Sequence, residues 1–243
     1  MSDLPISEPS VRAETQPAVA AQEPGSLGRR IVDTYFSPIA LFQRFGPRAP
    51  WVDVFVISIV LTAALALLMP RELIVAQIQD AMSRQPQGGG PTPSMDTMVM
   101  FGRVGAVVSQ LVLVPIVSLA VAGIITLFFG VLMGGGGTFR QHLAVVSHSA
   151  LIMPLAFGVT LLFMVLGSNP TAQLSLALLV PGLEADTFAF RVLNALGVFT
   201  LWQLALVGVG AAAVNRRVSP YTGVGVVFAL FLVIVVLFAA VRG

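Results

Sequence analysis

The sequence predicts an all-α protein: a polytopic bundle of five transmembrane helices with short amphipathic helices at the membrane interface. Of its 243 residues, 56% are hydrophobic and only 10% are charged, against about 25% charged in an average soluble domain. A soluble fold of this composition could not cover its surface with polar groups, whereas a bilayer accepts an apolar surface. Five long uncharged stretches, judged against the roughly 20 residues that cross a bilayer, set the number of spans.

The predicted spans cover residues 51–69, 104–133, 143–166, 192–214 and 223–241. Pro115 and Pro154 lie inside the second and third spans. They predict kinks, because proline cannot complete the helical hydrogen-bond pattern; neighbouring hydroxyl groups can satisfy the freed carbonyls. Residues 1–28 are rich in Pro, Ala, Ser, Glu and Gln and predict a disordered tail. Residues 29–243 therefore form the predicted membrane domain.

Two short amphipathic helices are predicted beside the first span. Ser37 and Pro38 begin the first of these helices. Its apolar and basic residues, with the tryptophan that starts the first span, are expected to anchor the chain in the inner leaflet. These predicted interfacial anchors are Phe42, Arg44, Phe45 and Trp51. The second amphipathic helix covers residues 70–85.

Two further connections are predicted between the later spans. The run of four glycines at 134–137 predicts a flexible turn between the second and third spans. Asn169 and Pro170 begin a short Leu-rich helix that ends at Pro181 and Gly182.

The distribution of arginine predicts the orientation. With a cytoplasmic N-terminus, seven arginines that flank the spans face inward and five face outward. Basic residues near spans favour the cytoplasmic side. We therefore expect a multi-pass protein of a bacterial cytoplasmic membrane, with its N-terminus in the cytoplasm and its C-terminus outside.

The residue types exclude several classes of site. The chain has no cysteine, which removes disulfides, thiolate metal sites and cysteine nucleophiles. A net charge of +2 does not indicate nucleic-acid binding. His142 and His148 are six positions apart, so on a helix they diverge and do not form a paired metal site. No catalytic set is visible, and we expect no enzyme activity, catalytic residue, cofactor or metal.

Several polar residues inside the spans remain candidates for packing or function. His148, between Ser147 and Ser149, predicts either a proton or ion contact or a neutral side chain hydrogen-bonded between helices. Gln110 is expected to bond between helices, and Asn194 to be solvated near the end of a span. Trp202 falls near the middle of the fourth span, where its N–H needs a partner, so we expect it to point into the bundle.

Three segments carry a further pattern: Phe36–Phe42 leading to Pro50 and Trp51; Ser147–Pro154; and Val198–Leu204, continuing through Gly208, Gly210 and Ala211 to Arg216. Together they resemble the YIP family, membrane proteins first named for interacting with Ypt/Rab GTPases. The resemblance runs from about residue 31 to the C-terminus. It implies five spans, a cytoplasmic N-terminus and, from eukaryotic relatives, roles in vesicle traffic and membrane shaping.

The sequence thus favours a non-enzymatic membrane protein that acts through helix packing, lipid contact and partner binding. Its expected partners are the lipid bilayer and an unidentified membrane protein or a second copy of the chain. The alternative is a small permease or channel whose path is lined by the second and third spans, with Gln110 and His148. Transporters usually carry charged residues within their spans, and no predicted span has one at depth.

Overall fold

The computed structural model describes residues 23–84, 93–166, 174–184 and 187–241, and about 80% of these described residues are helical. The helices are α1 (Leu27–Phe36), α2 (Pro38–Gln43), α3 (Val52–Leu67), α4 (Arg71–Arg84), α5 (Met95–Val108), α6 (Val114–Ile125), α7 (Phe139–Ser149), α8 (Ile152–Val165), α9 (Phe188–Ala195), α10 (Val198–Asn215) and α11 (Pro220–Val241). The described part contains no β-strand. The all-α membrane fold is therefore confirmed.

Within the described residues, four helical segments are long and apolar enough to cross a membrane: Met95–Leu132, Phe139–Val165, Val198–Asn215 and Pro220–Val241. The first predicted span is represented by α3, which has 16 residues and is only about 24 Å long. It qualifies only together with the next helix, from which it is bent by 87°. A fifth crossing therefore depends on counting this bent pair as one span.

The helices run between two ends of the bundle, which we call the glycine-loop end and the opposite end. At the glycine-loop end, Arg140 donates to the carbonyl of Ala49 (3.3 Å). Arg217 donates there to the carbonyl of Gly134 (2.7 Å). At the opposite end, Arg103 donates to the carbonyl of Met69 (3.2 Å). Loops that the arginine distribution assigns to one side of the membrane thus lie at the same end of the bundle.

The fourth span begins later than predicted. Residues 192–195 belong to the separate helix α9, and α10 begins only at Val198. The break arises because backbone groups near residue 196 pair with a preceding segment. Leu176 N–H donates to the Leu196 carbonyl (3.1 Å), and Val198 N–H donates to the Leu174 carbonyl (2.8 Å).

The two prolines act differently. At Pro154 the helix breaks between α7 and α8, as predicted, and Ser58 donates its hydroxyl to the Ala150 carbonyl (2.8 Å). That carbonyl lies four residues before the proline and has lost its usual helical partner. At Pro115 the helix continues without interruption. A wide π turn over residues 109–113 precedes it, in which Val114 N–H bonds to the Ser109 carbonyl, so the missing bond is accommodated by a change of register.

The N-terminal region contains a helix that the sequence reading missed. Residues 27 and 28 were assigned to the disordered tail, but they begin α1. The rest of that predicted tail, residues 1–22, lies outside the described residues, as does the start of the Leu-rich helix predicted from residue 169. In the described part of that segment, Leu176–Leu179 form a 3-10 turn.

Candidate functional site

The two N-terminal helices form a hairpin that is packed into the bundle. We call their contact region with α3, α7, α8 and α10 the N-terminal seam. Tyr35 donates its hydroxyl to the Leu151 carbonyl (2.7 Å), the second carbonyl at the Pro154 break. Burial raises the pKa of Tyr35, which keeps the phenol a neutral donor. The aromatic ring of Tyr35 also meets that of Trp202 edge to face, with ring centroids 6.0 Å apart.

An ion pair joins α1 to α3 inside the seam. Arg30 is only 4% exposed. Its guanidinium donates to both carboxylate oxygens of Asp53, one of them at 3.3 Å. Asp53 also accepts the backbone N–H of Val54 (2.9 Å). A buried charge needs such a partner, since an unpaired one costs several kcal/mol, on the order of 3–5. The hairpin therefore brings into the bundle a charged residue that no predicted span contains.

His148 lies on the inner side of the seam and is fully buried. Its Nδ1 is 2.7 Å from the carbonyl of Ala144, one turn earlier on the same helix, and its ring lies 4.9 Å from that of Phe45. Its Nε2 and the hydroxyl oxygens of Ser147 and Ser149 are buried without a hydrogen-bond partner. The predicted bond between helices is therefore wrong for this side chain, because its bond closes on its own helix.

The predicted membrane anchors are mostly placed inside the protein. Phe42 and Phe45 are 0% and 2% exposed and pack against residues of α7 and α10. Arg44 pairs with Asp33 of α1 rather than extending to the headgroup region. The anchor prediction is wrong for these three residues, because the turn at Ser37 folds α2 back under α1. Trp51 is half-buried and packs beside Phe55.

The exposed apolar residues of the hairpin are instead on its outer side. Phe36 is 80% exposed, Val32 is 54% exposed and Ile39 is 42% exposed. They share this face with the long side chain of Arg29. The helix predicted to begin at Ser37 and Pro38 is present as α2, but its predicted anchors are buried, and most of the exposed apolar face lies on α1.

Trp202 does not point into the bundle. It is 37% exposed, and its indole N–H has no hydrogen-bond partner among the described residues. Because α10 begins at Val198, Trp202 lies in the second turn of its helix rather than in the middle of a span. The ring of Tyr35 packs against it edge to face. The predicted inward orientation is therefore wrong.

The remaining polar candidates are separate from the seam. Gln110 lies in the π turn before Pro115, is half-buried, and has no hydrogen bond within the described part of the chain. Asn194 lies in α9 and accepts the hydroxyl of Ser175 (3.2 Å). It ties a loop to a helix instead of being only solvated.

The four-glycine run forms the predicted connection, and two of its glycines are tightly packed. A Cβ on Gly135 would lie 2.0 Å from the amide nitrogen of Asn215, and one on Gly137 would lie 2.6 Å from the ring of His142. Asn215 in turn donates to the Phe129 carbonyl (2.5 Å). The glycines are needed because side chains and backbone from two helices fill this corner.

No group of three His, Cys, Asp or Glu residues in the described ranges is placed to hold a metal ion. Comparisons with protein-family models, curated proteins and solved structures return no match to this chain. The chain segments at Phe36–Trp51, Ser147–Pro154 and Val198–Arg216 meet at the seam. A Cβ on Gly210 would touch Phe42 at 2.9 Å, while Tyr35, just before the first segment, reaches both Leu151 and Trp202.

Proposed function

We propose that this chain is a non-enzymatic integral membrane protein of YIP type, which acts through helix packing, lipid contact and partner binding. Its role would be the organisation of the membrane, or a role similar to trafficking, in a bacterial cytoplasmic membrane. The seam supports this proposal because it joins the three segments that carry the resemblance.

One observation carries the proposal: the polar groups of the seam are used to hold segments together. Tyr35 and Ser58 donate to the two carbonyls at the Pro154 break. Gln141 donates its amide to the Phe45 carbonyl (2.7 Å), and Arg30 binds Asp53. The bonds of Tyr35, Gln141 and Arg30 fix the N-terminal hairpin and its end against the membrane helices, as a platform for contacts requires, and that of Ser58 holds α3 against the same helix break.

The hydroxyl–histidine contact in the described residues does not resemble an activated nucleophile. Thr126 lies 3.1 Å from Nδ1 of His142, but its hydroxyl donates to the Ala122 carbonyl (2.6 Å). The histidine nitrogen therefore donates to the hydroxyl oxygen and cannot remove its proton. The other ring nitrogen has no partner, so no third group orients the ring as catalytic triads require.

Cross-linking from the outer face of the hairpin tests the proposal. A photo-reactive residue at Phe36 should form adducts with phospholipid or with a discrete membrane protein in native membranes, because 80% of that side chain is exposed. The same residue at Phe42, which is 0% exposed, serves as the matched control and should react only within the chain. Adducts with water alone at position 36 would show that this face touches neither lipid nor protein.

Single-cysteine labelling tests the orientation, since the chain has no native cysteine. Gly136 has open space around its Cβ position and lies at the glycine-loop end; Ser94 is exposed and lies at the opposite end. An impermeant thiol reagent added to intact cells should label Ser94→Cys and leave Gly136→Cys unlabelled. The reverse pattern would place the N-terminus outside.

The permease alternative is favoured by the buried polar atoms near the ion pair. One polar atom on each of Ser147, His148 and Ser149 is buried without a hydrogen-bond partner among the described residues. Buried polar groups without partners are uncommon and often mark a functional position. Purified protein in liposomes loaded with a pH-sensitive dye should show no proton flux if the first proposal holds. Flux that disappears in Asp53→Asn would support the permease instead.

A further inference from the structure

A groove on the membrane-facing side of the bundle has no assigned occupant. It has a volume of about 290 Å³ and lies between α6, α10 and α11. Leu204 and Val207 of α10 form its floor, while Val117 of α6 and Ile234 of α11 stand at its mouth. These two residues are 49% and 43% exposed, so the groove opens toward the hydrocarbon region of the membrane.

The groove contains polar side chains that the protein leaves without partners. Ser118, Thr200 and Gln203 line it. None of the three makes a side-chain hydrogen bond within the described residues. An amide or hydroxyl facing hydrocarbon without a partner costs several kcal/mol, on the order of 2–7. A ligand that carries hydrogen-bond acceptors would remove this cost.

The size of the groove selects a chain-like ligand. One water-sized group needs about 10–15 Å³ of such space. The groove therefore has room for roughly 20 groups of this size, which is close to the number of carbon atoms in one acyl chain of a phospholipid.

The depth of the polar groups fits the ester region of a lipid. The helix α10 has 18 residues and is about 27 Å long, close to the hydrocarbon thickness of about 30 Å. Thr200 and Gln203 lie about 3 and 8 Å from its first residue. Ester carbonyls of a phospholipid occupy the boundary between headgroups and hydrocarbon, and its chains extend inward from there, here toward Val207.

We propose that the groove holds one acyl chain of an ester-linked phospholipid from the leaflet opposite the glycine loop. Gln203 and Thr200 donate hydrogen bonds to the ester carbonyl, and the apolar residues of the three helices surround the chain. The inference rests on the proposed function in one respect, namely that the protein acts in part through lipid contact.

Lipid retention measured by native mass spectrometry tests the site. The full chain is reconstituted with either a dioleoyl phosphatidylethanolamine or its diether analogue and is then released in mild detergent. We expect one ester lipid per chain, preferred over the ether lipid by about fivefold, the equivalent of a net hydrogen bond of about 1 kcal/mol. Gln203→Leu should abolish this preference and leave the chain folded, as judged by its thermal transition.

A matched pair of variants separates the groove from general lipid contact. Val117→Trp should fill the groove with its indole ring. Lipid retention should then fall by at least about fivefold, the change expected for the loss of one net hydrogen bond. Val233→Trp introduces the same change on the outer face of α11, where the valine is 58% exposed, and should retain the lipid. Equal loss in both variants, no retained lipid, or equal binding of ester and ether lipids would overturn the proposal. A dimer that dissociates in Val117→Trp would overturn it too, because a second copy would then be the occupant.

Failure of this site can be distinguished from failure of the proposed function. The cross-linking at Phe36 reports on the hairpin, which does not line the groove. Adducts at Phe36 with no lipid in the groove would leave the function standing and remove only the lipid site.

Discussion

The helices α10 and α11 make a close backbone contact that a single substitution can test. Gly208 and Gly223 face each other across it. A Cβ on Gly208 would lie 2.5 Å from the Cα of Val224 and 2.8 Å from the carbonyl oxygen of Gly223. Ordinary contacts of a Cβ begin at 3.4 Å. The substitution Gly208→Ala must therefore separate the two backbones by about 0.9 Å, the difference between 3.4 and 2.5 Å.

The cost of this separation follows from the nature of membrane packing. Forcing an extra methyl group into a packed contact costs about 1–3 kcal/mol. In lipid no hydrophobic force pulls the helices back together, so the lost contacts are not recovered elsewhere. For a protein of this size, 1 kcal/mol corresponds to about 2–4 °C in the midpoint of unfolding. We expect Gly208→Ala to lower the thermal midpoint in mild detergent by several degrees.

The control is Gly225→Ala on the same pair of helices. A Cβ there would meet nothing within 4 Å, and alanine favours a helix over glycine by up to about 1 kcal/mol. This variant should unfold at the same temperature as the parent or slightly above it. Equal midpoints for the two variants would show that α10 and α11 are not in close contact, and would refute the reasoning.

Three other predictions follow from single contacts. Gly135→Ala should destabilise the protein by about 1–3 kcal/mol, because its Cβ would clash with the side-chain amide of Asn215. Gly136→Ala should leave stability unchanged, because its Cβ meets nothing within 4 Å. Thermal unfolding of both variants measures the difference. Asp53→Asn should lower the thermal midpoint. The loss in free energy of unfolding should be smaller than the roughly 3–5 kcal/mol expected for a fully buried ion pair, because 42% of the Asp53 side chain is exposed. An unchanged midpoint would mean that Arg30 finds another partner. In the variant Trp51→Phe, the fluorescence of Trp202 should be quenched by lipids brominated at mid-chain, since 37% of the residue is exposed. Resistance to quenching would show that the ring is buried inside the protein.

Two features of the membrane helices could be predicted because the bilayer and the helical hydrogen-bond pattern impose simple rules. A helix that crosses hydrocarbon must be long and uncharged, so α11 begins within three residues of its predicted start, and the Pro154 break occurs where proline disrupts the hydrogen-bond pattern. The start of α10 could not be predicted in this way. The residues before Val198 are as apolar as a span, but their backbone pairs with the segment at Leu174–Leu176, and hydropathy carries no information on such pairing.

The seam was missed because amphipathicity identifies an apolar stripe without identifying what covers it. Phe42 and Phe45 could equally have faced lipid or protein, and the hairpin turn decides for protein. One signal for α1 was present in the sequence: Arg29 and Asp33 are four residues apart, as in a helix-stabilising ion pair. Such a pair just after the predicted tail indicates a helix at the start of the predicted membrane domain.

The seam also changes how the two candidate functions should be compared. Judging each span by its own charged residues disfavours transport, but Arg30 enters the bundle from a helix that lies against the spans. The better criterion is the direction in which the polar groups bond. Arg30 bonds to the start of α3, and His148 bonds to its own helix. These bonds fasten segments to one another and do not connect the two ends of the bundle, as a conduction path would require. This arrangement favours a docked N-terminal hairpin, and it makes the exposed face at Phe36 the part of the protein where contacts with other molecules should first be sought.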